Sequence, residues 1–225
     1  MKITWYGHAC FMLEGSKRIL IDPFLSGNPT APVKPEELDV DLILVTHGHG
    51  DHVGDAVEIS KRCNAPIVCI YELSVLLGGR GAETVGMNIG GTAKFEDVEV
   101  TMVKAVHSAD VVDGGITSAG DPAGFVVKMD GVTVYHAGDT DVFMDMQLIG
   151  ELYRPKVALL PIGDFYTMGI RGALKAVELI KPEIVVPMHY NTFPPIRQNP
   201  EEFRERAEKL GVKVVILNPG EGFEV

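Results

Sequence analysis

The stretch LILVTHGHGDHVGDAVEI, residues 42–59, decides how this chain is read. An unbroken apolar run at 42–45 leads within a few positions to His47, His49, Asp51 and His52. Such a run predicts a strand buried on both faces. Side chains two apart on extended backbone point the same way, so His47 and His49 aim their imidazoles at one point. Gly48, Gly50 and Gly54 allow a tight path beyond them. The turn then carries Asp51 and His52 to a neighbouring point. One short loop offers two ligand-type side chains to each of two cations, and two-metal hydrolytic centres hold their ions roughly 3.5–4 Å apart. A merely solvated loop would not concentrate three of the chain's seven histidines directly after a buried strand.

Outward from this loop, KITWYG, CFMLEG and RILIDP read as three short strands separated by turns. GDAVEISKRC predicts a helix, PIVCI a buried strand and ELSVLLG a helix ended by glycines. DVEVTMVKAVH alternates as a strand that runs into His107, and GFVVKMDGVTVYHAGD reads as a hairpin turning at Asp130-Gly131. Then follow the strand VALLPIGD, the amphipathic helix GALKAVELIK, the strand EIVVPMHY, the helix PEEFRERAEKLG and the strand KVVIL. This pattern predicts antiparallel strands in the first half and strand–helix–strand units in the second, with helices to cover the outer faces of two stacked sheets. Residues 108–124, SADVVDGGITSAGDPAG, show no clear period. So long a loop is expected to have a function, and this one suits a lid.

Composition narrows the partners. The chain has 225 residues and a net charge of −11, and no cluster of lysine or arginine stands out. An acidic surface repels phosphate backbones, so long nucleic acids are not expected. No stretch approaches the roughly 20 apolar residues of a membrane span. MKITWYGHACFML reads as a strand, not as a signal peptide. Three cysteines without a C-x-x-C pair predict no disulfide framework, and a cytoplasmic location follows. Assembly into a homo-oligomer is compatible with this composition.

Three further ligand-type residues stand at the ends of predicted strands: His107 after TMVKAV, Asp139 after VTVYHAG and His189 after EIVVPM. Strand ends that meet at one sheet edge would bring them to the histidine loop. In order and approximate spacing, THGHGDH, His107, HAGDT with Asp139, and His189 resemble the metallo-β-lactamase superfamily. WYGHACF, ILIDPF, PIGDFYTMG and MHYNTFP make the chain similar to its compact metal-dependent hydrolases, the branch related to the ascorbate-6-phosphate lactonase UlaG.

The resemblance implies an α/β (α+β) fold, a four-layer αβ/βα sandwich formed by residues 1–225 as a single domain, with metals at one edge of the sheets. It implies one site made by His47, His49 and His107, a second made by Asp51, His52 and His189, and Asp139 as a bridge between two divalent ions. Imidazole and carboxylate suit zinc first, and manganese, nickel, iron or cobalt as well. The implied chemistry is attack of metal-activated water on a small ester, lactone or phosphodiester, with Asp51 and Asp139 orienting the water and moving protons. The substrate is expected to be a small molecule, anionic ones included. A metal-binding or sensing protein without turnover is the alternative for the same fold.

Other residues frame this centre. His8 is read as a pocket wall, a substrate contact or an extra ligand, or else as a hydrogen-bonded structural histidine. Asp22 is expected to anchor the metal loop, and His136 to stand behind the ligands or in the core. Asp164 and Tyr166 are expected to line the pocket, with turn capping the alternative for Asp164. Tyr190 offers a hydroxyl to an oxyanion, or simply packs as an aromatic. Arg197 is a candidate partner for an anionic substrate group.

Overall fold

The structure, a computed structural model, describes residues 1–225. Strands β1 (Lys2–Trp5), β2 (Phe11–Glu14) and β3 (Arg18–Ile21) form an antiparallel meander. β4 (Leu42–Leu44), β5 (Ile67–Ile70) and β6 (Thr84–Met87) then join in parallel, connected through helices α1 (Gly50–Val53), α2 (Ala56–Cys63) and α3 (Tyr71–Gly79). The second sheet begins with β7 (Thr92–Phe95) and β8 (Val98–Lys104). A small hairpin of β9 (Val111–Val112) and β10 (Ile116–Thr117) interrupts it before β11 (Ala123–Met129) and β12 (Val132–His136) return antiparallel. After α4 (Met146–Tyr153), the parallel part consists of β13 (Val157–Pro161), α5 (Ile170–Ile180), β14 (Ile184–Met188), α6 (Pro200–Ala207) and β15 (Lys213–Val214). β16 (Gly222–Glu224) crosses back to pair with β1.

Two seven-stranded sheets result, ordered β16-β1-β2-β3-β4-β5-β6 and β15-β14-β13-β12-β11-β8-β7. Their buried apolar residues form one cluster of 65 that draws on both sheets. Every residue of β4, β5 and β13 is buried, as strands must be when covered on both faces. α2 and α3 cover the first sheet, and α4–α6 belong to the second, which makes the four-layer α/β sandwich. No helix is long and apolar enough to cross a membrane.

The expected division into an antiparallel half and a strand–helix–strand half needs correction. Each half opens with an antiparallel meander and closes with parallel strands connected by helices. Helices α2 and α3 alternate with short buried strands, and such connections favour parallel pairing. β6, β7 and β16 were not legible because they are short, edge or near-edge strands with half-exposed residues. α4 buries Met146 and Ile149 but exposes Leu148 and Leu152, which masks its helical period. The helix expected over GDAVEISKRC is present as α2, beginning two residues later at Ala56, and a separate turn before it, α1, carries Asp51 and His52.

The predicted hairpin turn is present, with Asp130 at φ 52° and Gly131 at φ 76°, the left-handed pair of a type I′ turn. Two glycines hold the metal loop to the rest of the fold. The Gly48 amide donates to the Ala109 carbonyl at 3.0 Å, an approach so close that a Cβ on Gly48 would collide with that oxygen. Gly138 has φ +63°, and a Cβ there would stand 2.6 Å from the Ala123 carbonyl oxygen. Gly138→Ala combines left-handed strain with a backbone collision. It should lower unfolding free energy by about 1–3 kcal/mol in a denaturant titration. It should also reduce bound metal, because Asp139 is the next residue.

Candidate metal centre

The loop after β4 delivers its ligand-type side chains through a buried hydrogen-bond network. Asp22, immediately after β3, is fully buried and held at φ 47°. One oxygen of its carboxylate accepts the Thr46 amide at 2.8 Å. The other accepts the Thr46 hydroxyl at 2.7 Å and His52 Nδ1–H at 2.8 Å. Because the Thr46 hydroxyl proton goes to Asp22, its oxygen accepts from His47 Nδ1–H at 3.0 Å. This network assigns the Nδ1–H tautomer to both His47 and His52 and leaves each Nε2 lone pair facing inward. His47 Nε2 lies 2.9 Å from His49 Nδ1, so both nitrogens face one position. His49 Nε2–H faces the Ser108 hydroxyl at 3.3 Å.

The second sheet brings the remaining ligands. Asp139 is three residues beyond β12, His107 three beyond β8, and His189 the first residue after β14. His107 therefore does not end its strand as expected. Two extra residues carry it to the rim, where it is partly exposed. Asp139 lies among the imidazoles, with Oδ1 3.2 Å from His52 Nε2 and Oδ2 2.9 Å from His189 Nε2 and 3.6 Å from His107 Nε2. Donor atoms within 4.8 Å of one another form three groups: His47, His49 and His107; His8, Asp51, His52 and His189; and His47, His52 and Asp139.

These residues fit divalent cations on two observations. His52 Nε2, His189 Nε2 and Asp139 Oδ1 are buried without any hydrogen-bond partner. Orphaned buried polar groups cost about 1–3 kcal/mol each unless a further group satisfies them, and three on adjacent residues share one gap. The donor chemistry is imidazole and carboxylate, the set that binds zinc and its neighbours. Electrostatics agree. Burial alone would raise the Asp139 carboxyl, but neighbouring His189 and His52 outweigh it and hold it well below the usual range. Burial disfavours a charged His52, yet Asp139 and Asp22 hold its pKa well above the ordinary imidazole value. Asp139 and Asp22 thus favour positive charge at His52, and a cation at its Nε2 would meet the same two carboxylates.

His8 acts differently from the ligands. It is fully buried, at φ 54°, on the tight turn between β1 and β2. Its Nε2–H donates to Asp51 Oδ2 at 3.1 Å, and its Nδ1 accepts the Thr192 hydroxyl at 3.0 Å. Both ring nitrogens are thus engaged with protein, and no lone pair is left for a metal. Burial, reinforced by the adjacent His189, pushes the imidazole down to about 4, so it is neutral at physiological pH. Its carbonyl accepts both Trp5 Nε1–H at 3.0 Å and the His189 amide at 2.9 Å. His8 therefore fixes Asp51 with its side chain and His189 with its backbone.

The structure separates the other expected residues. His136 stands in the core, its Nε2–H donating to the Ala9 carbonyl at 2.9 Å and its Nδ1 accepting the Gly138 amide at 3.1 Å. A cavity of about 510 Å³ opens beside the cluster, lined by His49, Asp51, His107, Ser108, Asp139, Tyr166, His189, Phe193 and Pro195. Asp164 does not line it. Its carboxylate caps the turn by accepting the Phe165 amide at 2.9 Å. Tyr190 is not in the wall either. Its ring is buried and stacked on Trp5 at 5.5 Å, where aromatic packing claims it. Arg197 is exposed and outside the cavity. Of residues 108–124, Ser108 alone lines the cavity. At the tip of the β9–β10 hairpin, Asp113 stands 3.8 Å from Arg80, the residue after α3. Ser108, Phe193 and Pro195 were not singled out from sequence. Their only signal was adjacency to His107 and His189.

Residues 2–189 match the family described as the beta-lactamase superfamily domain. A UPF0173 metal-dependent hydrolase of Archaeoglobus fulgidus is 67% identical over 100% of this chain and 99% of its own length. One from Methanopyrus kandleri is 59% identical, with both chains covered completely. Among solved structures, Igni18, a metallo hydrolase of Ignicoccus hospitalis, is 45% identical with a TM-score of 0.91, covering 100% of this chain and 98% of that one.

Variants should separate these roles. Asp139→Ala should lower metal content in elemental analysis throughout the cluster, because its two oxygens reach both groups of imidazoles. His136→Ala should keep its metal and lose stability instead, by about 1–3 kcal/mol, since it leaves two buried backbone groups without partners. His8→Ala should weaken metal retention about 10–100-fold in competition with a chromophoric chelator, the usual cost of losing a group that orients a ligand.

Proposed function

The chain belongs to the beta-lactamase superfamily as a UPF0173 metal-dependent hydrolase, and we propose that it cleaves a small ester, lactone or phosphodiester at a centre of two divalent cations. The observation that carries this reading is Asp139, a buried carboxylate reaching three imidazoles from two groups of donor atoms. His47, His49 and His107 would hold one ion, and Asp51, His52 and His189 the other, with Asp139 shared. Zinc suits this donor set first. Bound there, such ions supply Lewis acidity and make hydroxide available near neutral pH.

The chain's own residues do the rest. Asp51 faces the cavity, and its Oδ2 is fixed by His8. Burial pulls its carboxyl up, but His8 and His52 outweigh that and keep it ionised, an acceptor for a proton of the attacking water. Asp139 opens onto the same cavity and orients that water from the other side. The network behind the ligands, with Asp22 at its centre, keeps the His47 and His52 imidazoles in one tautomer through a catalytic cycle. Ser108 and Tyr166 bring hydroxyl groups to the wall, where they can donate to a substrate oxygen. No serine or cysteine nucleophile is needed: Cys10 and Cys69 are buried, and Cys63 lies on α2 away from the cavity.

Purified protein stripped by chelator should lose hydrolysis of a panel of esters, lactones and phosphodiesters. Activity should return on titration with zinc or manganese, with the break at two equivalents per chain. Full activity at one equivalent would refute the two-ion centre. Absence of turnover with every metal would refute the hydrolase.

A further inference from the structure

The wall of the cavity narrows the class of substrate. None of the chain's 20 lysine and arginine side chains lines it. Its charged groups are the carboxylates Asp51 and Asp139, both committed to the cation centre. The rest of the wall is Tyr166, Phe193, Pro195 and the Ser108 hydroxyl. A substrate anion at the reacting atoms would meet the cations, but a second anion further along the molecule would meet aromatic rings and an acidic protein. A charge desolvated without a partner is strongly disfavoured.

The aromatic side is built at a conformational cost. Asp164 and Phe165 follow one another at φ 60° and φ 56°, left-handed positions that side chains with a Cβ adopt only at a steric cost. This turn is closed by a bridge between Gly163 and Gly169. It holds Phe165 and Tyr166 72% and 53% exposed, edge to face at 4.7 Å, with Tyr166 in the cavity wall. Phe193, also in the wall, is supported from behind by Phe24 at 6.2 Å and by the His8 ring at 5.5 Å. Strain of this kind persists where the surrounding fold enforces it, and it clusters at ligand sites. Solvated aromatic rings beside a reaction centre supply contact area to a planar or apolar group.

We propose that this pocket takes an uncharged ester or lactone with a planar apolar substituent lying against Tyr166 and Phe193, and discriminates against compounds with an anionic group remote from the reacting carbonyl. The proposal rests on the hydrolytic reading of the centre. In the reaction, the oxygen of water forms a new bond to the acyl carbon. The ester C–O bond breaks with its electron pair on the leaving oxygen, which takes the proton lost by the water. An ester gives an acid and an alcohol, and a lactone gives one hydroxy acid.

The test uses the metal-loaded full chain and two matched pairs. Phenyl acetate and 4-acetoxybenzenesulfonate differ by a remote sulfonate, which also improves the leaving group. Phenyl acetate should nevertheless have the higher kcat/KM, by about tenfold. Acetanilide and 4-acetamidobenzenesulfonate resist hydrolysis and report binding by ligand-observed NMR. Acetanilide should bind about tenfold more tightly, and Tyr166→Ala or Phe193→Ala should weaken it about threefold to tenfold without changing metal content. Tyr166→Arg should shift the preference towards the sulfonates. Equal or better use of the sulfonates by the parent protein overturns the proposal, as does acetanilide binding that ignores both aromatic substitutions. Selective acetanilide binding without turnover of either ester would uphold the pocket assignment and count against the hydrolytic reading instead.

Discussion

A carboxylate removed from solvent organises this protein. Asp22 accepts three hydrogen bonds at the end of β3, two from Thr46 and one from His52. Such a group is tolerable only where each lone pair finds a donor, so its burial dictates the path of the chain that supplies them. That chain is the histidine loop. The Thr46 hydroxyl passes the constraint on to His47, and His52 receives it directly. Two imidazoles from one loop thereby have fixed tautomers and fixed directions before any ion arrives.

Asp22 governs only the first sheet, and the site needs the second. His8 is one of the links between the sheets: its carbonyl receives the His189 amide and its ring joins Asp51 to Thr192. Trp5 strengthens this seam by donating to the same carbonyl and stacking on Tyr190. His8, Asp22 and His189 all have positive φ, and so does Asn191 nearby. Backbone strain is thus concentrated where the two sheets present their ends to each other. The core of 65 buried residues stabilises the fold enough to maintain it.

Chemistry and selectivity fall on different parts of this arrangement. The ligand-type residues sit at or just beyond strand ends, where the rigid sheets limit their movement. The aromatic wall sits on the turns after β13 and β14, which can vary without disturbing the sheets. In the 108–124 stretch the Ala109 carbonyl accepts the Gly48 amide, and the hairpin leaves Val112 and Ile116 exposed.

The ligand-type residues were legible in sequence because side-chain type and local spacing reveal them. H-x-H-x-D-H after an apolar strand needs no distant information, and His107, Asp139 and His189 each follow an alternating or apolar run that marks a strand. Most of the strands and helices and the Asp130-Gly131 turn were legible for the same local reason. Sequence could not decide between alternatives that depend on a partner far along the chain. His8 could be a ligand or a structural residue until Asp51 and Thr192, 43 and 184 positions away, were seen to occupy both its nitrogens. Tyr190 differed from Tyr166 only through Trp5, which takes one ring into the packing between sheets while the other stays in the wall. The parallel pairing of β3 to β6 and the return of β16 to β1 were likewise invisible, because hydrogen bonding between strands depends on which edges meet in space. Sequence determined which residues have the chemistry to bind a cation; the meeting of two sheet edges decided which of their donor atoms face one another.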